Sequence, residues 1–441
     1  MNVRTISLPI ALLMLCSACG SPRQEPIRIG VLSDCEGFAA PFYDVTLAGA
    51  ALPLLRRGGS LAGQDPSSGV EDVSIGGHPV ELSFGCAGDP TGDMVETRRL
   101  VEQEGVDILI GPNSIPNPIA LVQYARRHLQ TTFVIATGEP EGLGLGANVF
   151  RFTADSIQTA AGLGTYAFAD LGWRTAKTVA TPDFGEWGAS AGFIAEFCSL
   201  GGTVTGRTWL DVVAEEVPSL LRTVPLDGAD GWLVAADTGS STTFLKRYAR
   251  RDPPLADHVV SAAFFSAPIL LDPSVVEKLG DALVGVVTAS FVPLDDSQAR
   301  WNAYVQDFDT AFPDLSVIAG SAYHLTDIDY RNAMEAVLQA LDATNGDLSD
   351  EGDAFQAALA NVELDAPNGT IRLDDGRQAI VPIYVSRVEK DERGDLVYRT
   401  FRVIDGVDQT YSGAVELRSS EADRTQPACR RGNPPPWAVA T

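Results

Sequence analysis

Short apolar runs alternate with helix-period segments along most of the chain, and this rhythm sets the first expectations. Residues 106–110 are rich in β-branched residues and stop at Gly111-Pro112, so they read as a buried strand. Beyond Asn117, a possible helix cap, the apolar positions Ile119, Leu121, Val122, Ala125 and Leu129 fall near helical spacing. Residues 132–136 form a second apolar run closed by Thr137-Gly138. The unit is β-loop-α-β, and in an open parallel sheet small ligands settle beyond the carboxyl ends of the strands. Those ends carry Ser114 and Thr137, two hydroxyls beside backbone N–H groups, a receptor for a carboxylate or another small anion. Both residue types are also ordinary turn residues.

The same rhythm extends in both directions. Strands are expected at 27–32 and 80–84, with helices at about 43–57 and from Thr91 or Asp93 through Val101. Residues 58–77, rich in Gly, Ser and Asp, read as a long exposed loop. After a crossing segment at 150–153, a second βα series follows. It has helices at 156–169, 189–200, 218–223 and 241–249, and strands at 176–180, 203–209, 231–236 and 259–263. The segment 284–288 should cross back to helices at 299–312 and 328–344. The chain then turns to strands at 369–373, 381–388 and 397–403 and an irregular tail over 416–441.

With 441 residues, 45% of them apolar, the chain can build two or three cores. Its 32 basic and 58 acidic residues give a formal net charge of -26. Such a surface repels phosphate backbones, so no nucleic acid partner is expected. At the N-terminus, Arg4 precedes an apolar stretch at 6–15 that is too short to span a bilayer. Cys16-Ser17-Ala18-Cys19 follows and resembles a bacterial lipobox, although Cys16 stands where Leu is usual. The resemblance makes 1–19 a signal segment and Cys19 the point of lipid attachment. The protein would then be tethered to a membrane outside the cytoplasm.

Four further cysteines remain: Cys35, Cys86, Cys198 and Cys429. An even number outside the cytoplasm suggests two disulfides. Cys35 and Cys86 each follow one of the first two strands and could meet at one sheet end. Cys198 would then take Cys429 and tie down the tail, with the other two pairings still open. The spacing fits no zinc pattern, and no metal or other cofactor is expected.

Alternating β and α with two crossings implies an α/β fold of two Rossmann-like lobes. The order resembles the type I periplasmic binding proteins, in particular the leucine/isoleucine/valine-binding receptors of ABC importers. The likeness covers roughly 27–405. It rests on Ile27-Arg28-Ile29-Gly30-Val31-Leu32-Ser33, Gly88-Asp89-Pro90, Arg99-Leu100-Val101 through Gly105-Val106, Ile110-Gly111-Pro112, Asp183-Phe184-Gly185 and Asn368-Gly369-Thr370-Ile371-Arg372-Leu373-Asp374. The resemblance implies a hinge and an interlobe ligand cleft, with lobe 1 from 27–152 and 289–345 and lobe 2 from 153–288 and 346–415. It implies a monomer that captures a small polar molecule (amino acid, amide or small carboxylate) and delivers it to an ABC permease. Ser114 with Ala136 and Thr137 match the positions that grip a ligand carboxylate, Phe184 an aromatic wall from lobe 2, and Asp237 a further contact. The family's amino-acid receptors place an acid after the 259–263 strand, where this chain has Phe264 and Phe265. Asp34 or Asp237 could replace it, or the ligand could lack an amine. Asp237 equally fits a helix cap before Ser240.

Two other readings accompany the importer receptor: a ligand sensor or scaffold without transport, and a serine hydrolase using Ser190. The second comes from Gly188-Ala189-Ser190-Ala191-Gly192, a nucleophile pattern that needs a strand ending directly at the turn. Here Ser190 is expected inside a helix. Gly142-Leu143-Gly144-Leu145-Gly146 lacks the spacing of a dinucleotide loop, no phosphate-binding loop is present, and the four histidines show no metal spacing. No enzymatic activity is expected.

Overall fold

The structure, a computed structural model, describes residues 24–37, 39–112, 118–137, 146–182, 184–213, 215–251, 254–262, 269–321, 324–415 and 426–438. The chain opens with β1 (Ile27–Asp34), a hairpin of β2 (Ser60–Leu61) and β3 (Val70–Glu71), and then β4 (Ser74–Ile75) and β5 (His78–Ala87). The short strands β6 (Ile108–Ile110), β7 (Thr132–Ile135) and β8 (Val149–Arg151) follow. Six of these strands form one sheet in the order β4-β5-β1-β6-β7-β8. Its inner pairs are parallel, with Ile29 opposite Ile108 and Ile108 opposite Thr132. Every residue of β6 and β7 is buried, as expected of parallel strands covered on both faces. The stretch read as an exposed loop therefore holds the hairpin β2–β3.

Helices α1 (Tyr43–Arg56), α2 (Pro90–Arg98) and α3 (Pro118–Ala125) connect these strands. Leu32, Leu109, Phe133 and Ile135 face one side of the sheet with Leu100 and Leu121, while Val31, Ile110 and Val134 face the other. This alternation follows from the two-residue period of a strand.

The second sheet has nine strands: β9 (Thr175–Ala180), β10 (Thr203–Trp209), β11 (Gly231–Ala235), β12 (Val259–Ser261), β13 (Val287–Ser290), β14 (Leu364–Ala366), β15 (Gly369–Leu373), β16 (Ala379–Lys390) and β17 (Leu396–Val407). Their order is β10-β9-β11-β12-β13-β16-β15-β14, with β17 on β16. The first five are parallel, and β13 meets β16 antiparallel. The segment 284–288, expected to cross back, instead enters β13, because its Val, Thr and Ala residues complete the buried parallel block. The return to the first sheet follows this strand.

The second half adds α4 (Leu163–Thr165), α5 (Phe184–Ser199), α6 (Val217–Thr223), α7 (Thr238–Ala249), α8 (Pro273–Leu279), α9 (Ala299–Ala311), α10 (Ser316–Ser321), α11 (Leu325–Ala343) and α12 (Asp353–Ala360). The single helix expected at 156–169 is broken. Gly162 has φ +88, and a Cβ there would stand 2.6 Å from Ile404 Cδ1 and 2.8 Å from Val385 Cγ2. The chain must turn at that point to let β16 and β17 approach.

Helix α11 returns to the first sheet and lies along α1. At Gly49 an added Cβ would fall 2.2 Å from the Asp327 carbonyl oxygen, so the small stretch Ala48-Gly49-Ala50 sets the approach of the two helices. Two disulfides are formed: Cys35 to Cys86 and Cys198 to Cys429, each with a Cα–Cα distance of 5.3 Å. The first joins the ends of β1 and β5. No helix among the described residues is long and apolar enough to cross a membrane.

Candidate functional site

Adjacent parallel strands bring their carboxyl ends to one edge, and in the first sheet β1, β6 and β7 are neighbours. Asp34 ends β1, Gly111 and Pro112 follow β6, and Ala136 and Thr137 follow β7. All of these positions are buried, Asp34 to 1% exposure and Thr137 to 9%. Gly111 has φ +109, and a Cβ on it would meet the Leu32 carbonyl oxygen at 2.0 Å. Only glycine lets β6 leave the sheet this close to β1. Ser114 lies outside the described residues.

The edge is acidic. Asp89 caps α2 by accepting hydrogen bonds from Thr91 N at 2.8 Å and Gly92 N at 3.0 Å. Asp93, four residues on, is buried. Burial first, and then the charges of Asp34 and Asp89, push the Asp93 carboxyl up to about 7. Tyr330 of α11 donates to Leu32 O at 2.6 Å, and burial followed by the charge of Asp34 raises its hydroxyl well above the usual range. Asp93 and Tyr330 were not singled out from the sequence. A hint for Asp93 exists in its helical spacing from Asp89, but burial is what makes it distinctive.

In the second sheet β9, β11 and β12 are neighbours and end at Ala180, Ala235 and Ser261. Asp237 follows β11 and caps α7, where its Oδ1 accepts from Ser240 N at 2.9 Å. Phe184 opens α5 just past the end of β9, and its side chain lies outside the described residues. So do Phe264 and Phe265. Ser190 sits within α5, six residues past its start and buried, and its Oγ has no hydrogen-bond partner among the described residues. The strand-to-turn geometry of a nucleophile elbow is absent at Ser190. Among the described residues no group of acidic, His or Cys side chains is arranged to hold a metal ion.

Between the sheets runs a buried polar network. Arg151, at the end of β8, and Asp155 are both fully buried, with Nη2 to Oδ2 at 3.8 Å. Arg151 Nε also donates to Gln378 Oε1 at 2.7 Å, and Gln158 Nε2 donates to Ala379 O at 2.8 Å and Val407 O at 2.7 Å. Thr153 donates to Asp329 of α11. Asn332 donates to Asn368 Oδ1 at 3.1 Å, and Asn368 Nδ2 to Phe291 O at 3.2 Å. These contacts join the segments where the chain passes between sheets. An arginine between Phe150 and Phe152 was the one sequence signal for them.

The profile of the periplasmic binding protein family matches residues 26–393. The chain belongs to the type I periplasmic binding protein family. Solved structures of such proteins share its fold. A substrate-binding protein of an ABC transporter from Sphaerobacter thermophilus is 21% identical, with a TM-score of 0.69 over 87% of this chain and 99% of that one. A solute-binding protein from Rhodopseudomonas palustris BisB5, in complex with 3,4-dihydroxybenzoic acid, is 19% identical, with a TM-score of 0.69 over 88% and 100%. A leucine-binding protein from Thermotoga maritima is 16% identical, with a TM-score of 0.64 over 86% and 99%. No relative was found among the curated proteins. In this periplasmic binding protein one strand-end edge carries Asp34 and Thr137 and the other carries Asp237.

Proposed function

We propose that this periplasmic binding protein is the extracytoplasmic receptor of an ABC importer. The two sheets with their helices act as lobes that close on a small polar ligand by bending at the segments between them. The observation that carries this reading is the parallel alignment of β1, β6 and β7, which gathers Asp34, Ala136 and Thr137 at one edge. The Thr137 hydroxyl and the nearby backbone receive the ligand's carboxylate, Ser114 assists, and Phe184 and Asp237 approach from the second lobe. The complexes of similar proteins with 3,4-dihydroxybenzoic acid and benzoate, and the leucine-binding relative, support a carboxylate-bearing ligand. The chain acts by binding and performs no chemistry on what it holds. Cys19 carries the lipid that keeps it at the membrane.

Thermal-shift screening of the chain against amino acids, benzoates and short carboxylates tests the reading. A hit should be weakened by Thr137→Ala about 5- to 150-fold, the effect of ~1–3 kcal/mol for one lost hydrogen bond. A panel without a single hit, or a hit indifferent to Thr137→Ala and Ser114→Ala together, would overturn it.

A further inference from the structure

The acidic corner at the end of β1 has a property that the fold does not require. Asp93 is 5% exposed, and among the described residues neither of its carboxyl oxygens has a hydrogen-bond partner. One turn further along α2, the buried Thr97 hydroxyl is likewise without a partner among the described residues. The charges that act on Asp93 are those of Asp34, from β1, and Asp89, from the cap of α2. From α11 it faces the neutral hydroxyl of Tyr330, which donates away to Leu32 O. Of the two cations that follow it on the chain, Arg98 is exposed and Arg99 is turned to Glu96, Glu104 and Phe84 O. A buried carboxyl with orphaned oxygens is costly unless something completes it, and next to a second carboxylate the group that completes it best is a cation.

We propose that Asp34 and Asp93 form a cation subsite of the ligand cleft, which takes the protonated amine or guanidinium of the ligand. The proposal rests on the receptor reading, with the ligand's carboxylate at Thr137. The strand order then restricts the ligand further. β1 and β7 lie on opposite sides of β6, so their ends are two strand spacings apart, about 9–10 Å. An α-amino acid carries its ammonium and carboxylate on one carbon and cannot occupy both positions with those two groups. The ligand class is therefore a longer zwitterion: an ω-amino acid, or a basic amino acid whose side-chain cation reaches Asp34 and Asp93. With its carboxyl raised to about 7, Asp93 is poised to ionise as the cation arrives.

Calorimetry on the full chain at pH 8 with 5-aminopentanoate, arginine, pentanoate and leucine tests this, using wild type, Asp93→Asn and Asp34→Asn. The expected result is binding of 5-aminopentanoate or arginine at least tenfold tighter than pentanoate, with the difference abolished by Asp93→Asn. Lowering the pH from 8 to 6 should weaken the amine-bearing ligand about tenfold, as Asp93 protonates, and leave pentanoate unaffected. Asn is nearly isosteric with the neutral acid, so the thermal midpoint of Asp93→Asn at pH 8 should be at or above that of wild type; if it is lowered, Asp34→Asn decides in its place. Pentanoate or leucine bound equally by wild type and both variants, with 5-aminopentanoate and arginine silent, overturns the cation subsite and leaves the receptor reading standing. Silence of all four probes overturns the cation subsite, and the wider carboxylate screen then decides the receptor reading separately.

Discussion

Trp437 donates its indole N–H to Glu196 Oε1 at 3.1 Å, a contact between residues 241 positions apart in the chain. Glu196 lies fully buried on α5 and also accepts from Gly162 N at 2.9 Å, from Thr165 N at 3.2 Å and from the Thr165 hydroxyl. The Trp437 ring meets Tyr411 edge-on with centroids 5.0 Å apart, and Cys429 is bonded to Cys198 on the same helix. The C-terminal segment is thus a strap over the second sheet's helical layer.

Trp437→Phe keeps the ring but removes the donor, leaving Glu196 one partner short. Stability should fall by about 1–3 kcal/mol. Urea unfolding of wild type and variant measures it, and superimposable curves would show that the strap contributes no stability through this bond.

Gly49 offers a test with an unusual sign. In an open helix, replacing Gly by Ala gains about 1 kcal/mol. At this position the new methyl would stand 2.2 Å from the Asp327 carbonyl oxygen, and forcing α1 from α11 costs about 1–3 kcal/mol. Gly49→Ala should therefore lower the thermal midpoint. A raised midpoint would mean that the helices are not packed this closely.

Asp93 links stability to pH. Burial, and then the charges of Asp34 and Asp89, raise its carboxyl from the ordinary value of 3.8 to about 7. A raised acid gives its stabilising contribution in full below the unfolded value and loses it as pH rises through the folded value. Wild type should thus lose up to a few kcal/mol between about pH 4 and pH 8 through this group. Asp93→Asn should gain on wild type across that window. Parallel pH–stability curves for the two proteins would contradict it.

The anchor is tested by Cys19→Ser, which should release the protein from the membrane to the soluble fraction of expressing cells. Metabolic labelling with a fatty acid that marks wild type and Cys19→Ser equally would remove the lipid assignment.

Much of the fold is legible along the chain because its causes are local. The apolar runs ending at Ile110 and Ile135 become β6 and β7, and the Gly-Pro step ends β6 where it stands in the sequence. The helix across 189–200 is there, although it begins earlier, at Phe184. Asp237 caps its helix, as its place before Ser240 allowed. The helix expected at 156–169 breaks instead, since nothing local says that Ile404 and Val385 come within reach of Gly162.

The α/β alternation, the order of the elements and an even set of cysteines can be read along the chain, since hydrophobic period and residue type are properties of neighbouring residues. Folding in three dimensions settles which of those cysteines meet, that Arg151 and Asp155 are buried together between the sheets, that Trp437 reaches Glu196, and that Asp93 loses its water beside Asp34. Each of these depends on desolvation by, or contact with, segments distant in sequence. A carboxylate changes its character when the solvent around it is replaced by another acid, and no periodicity along the chain records that replacement.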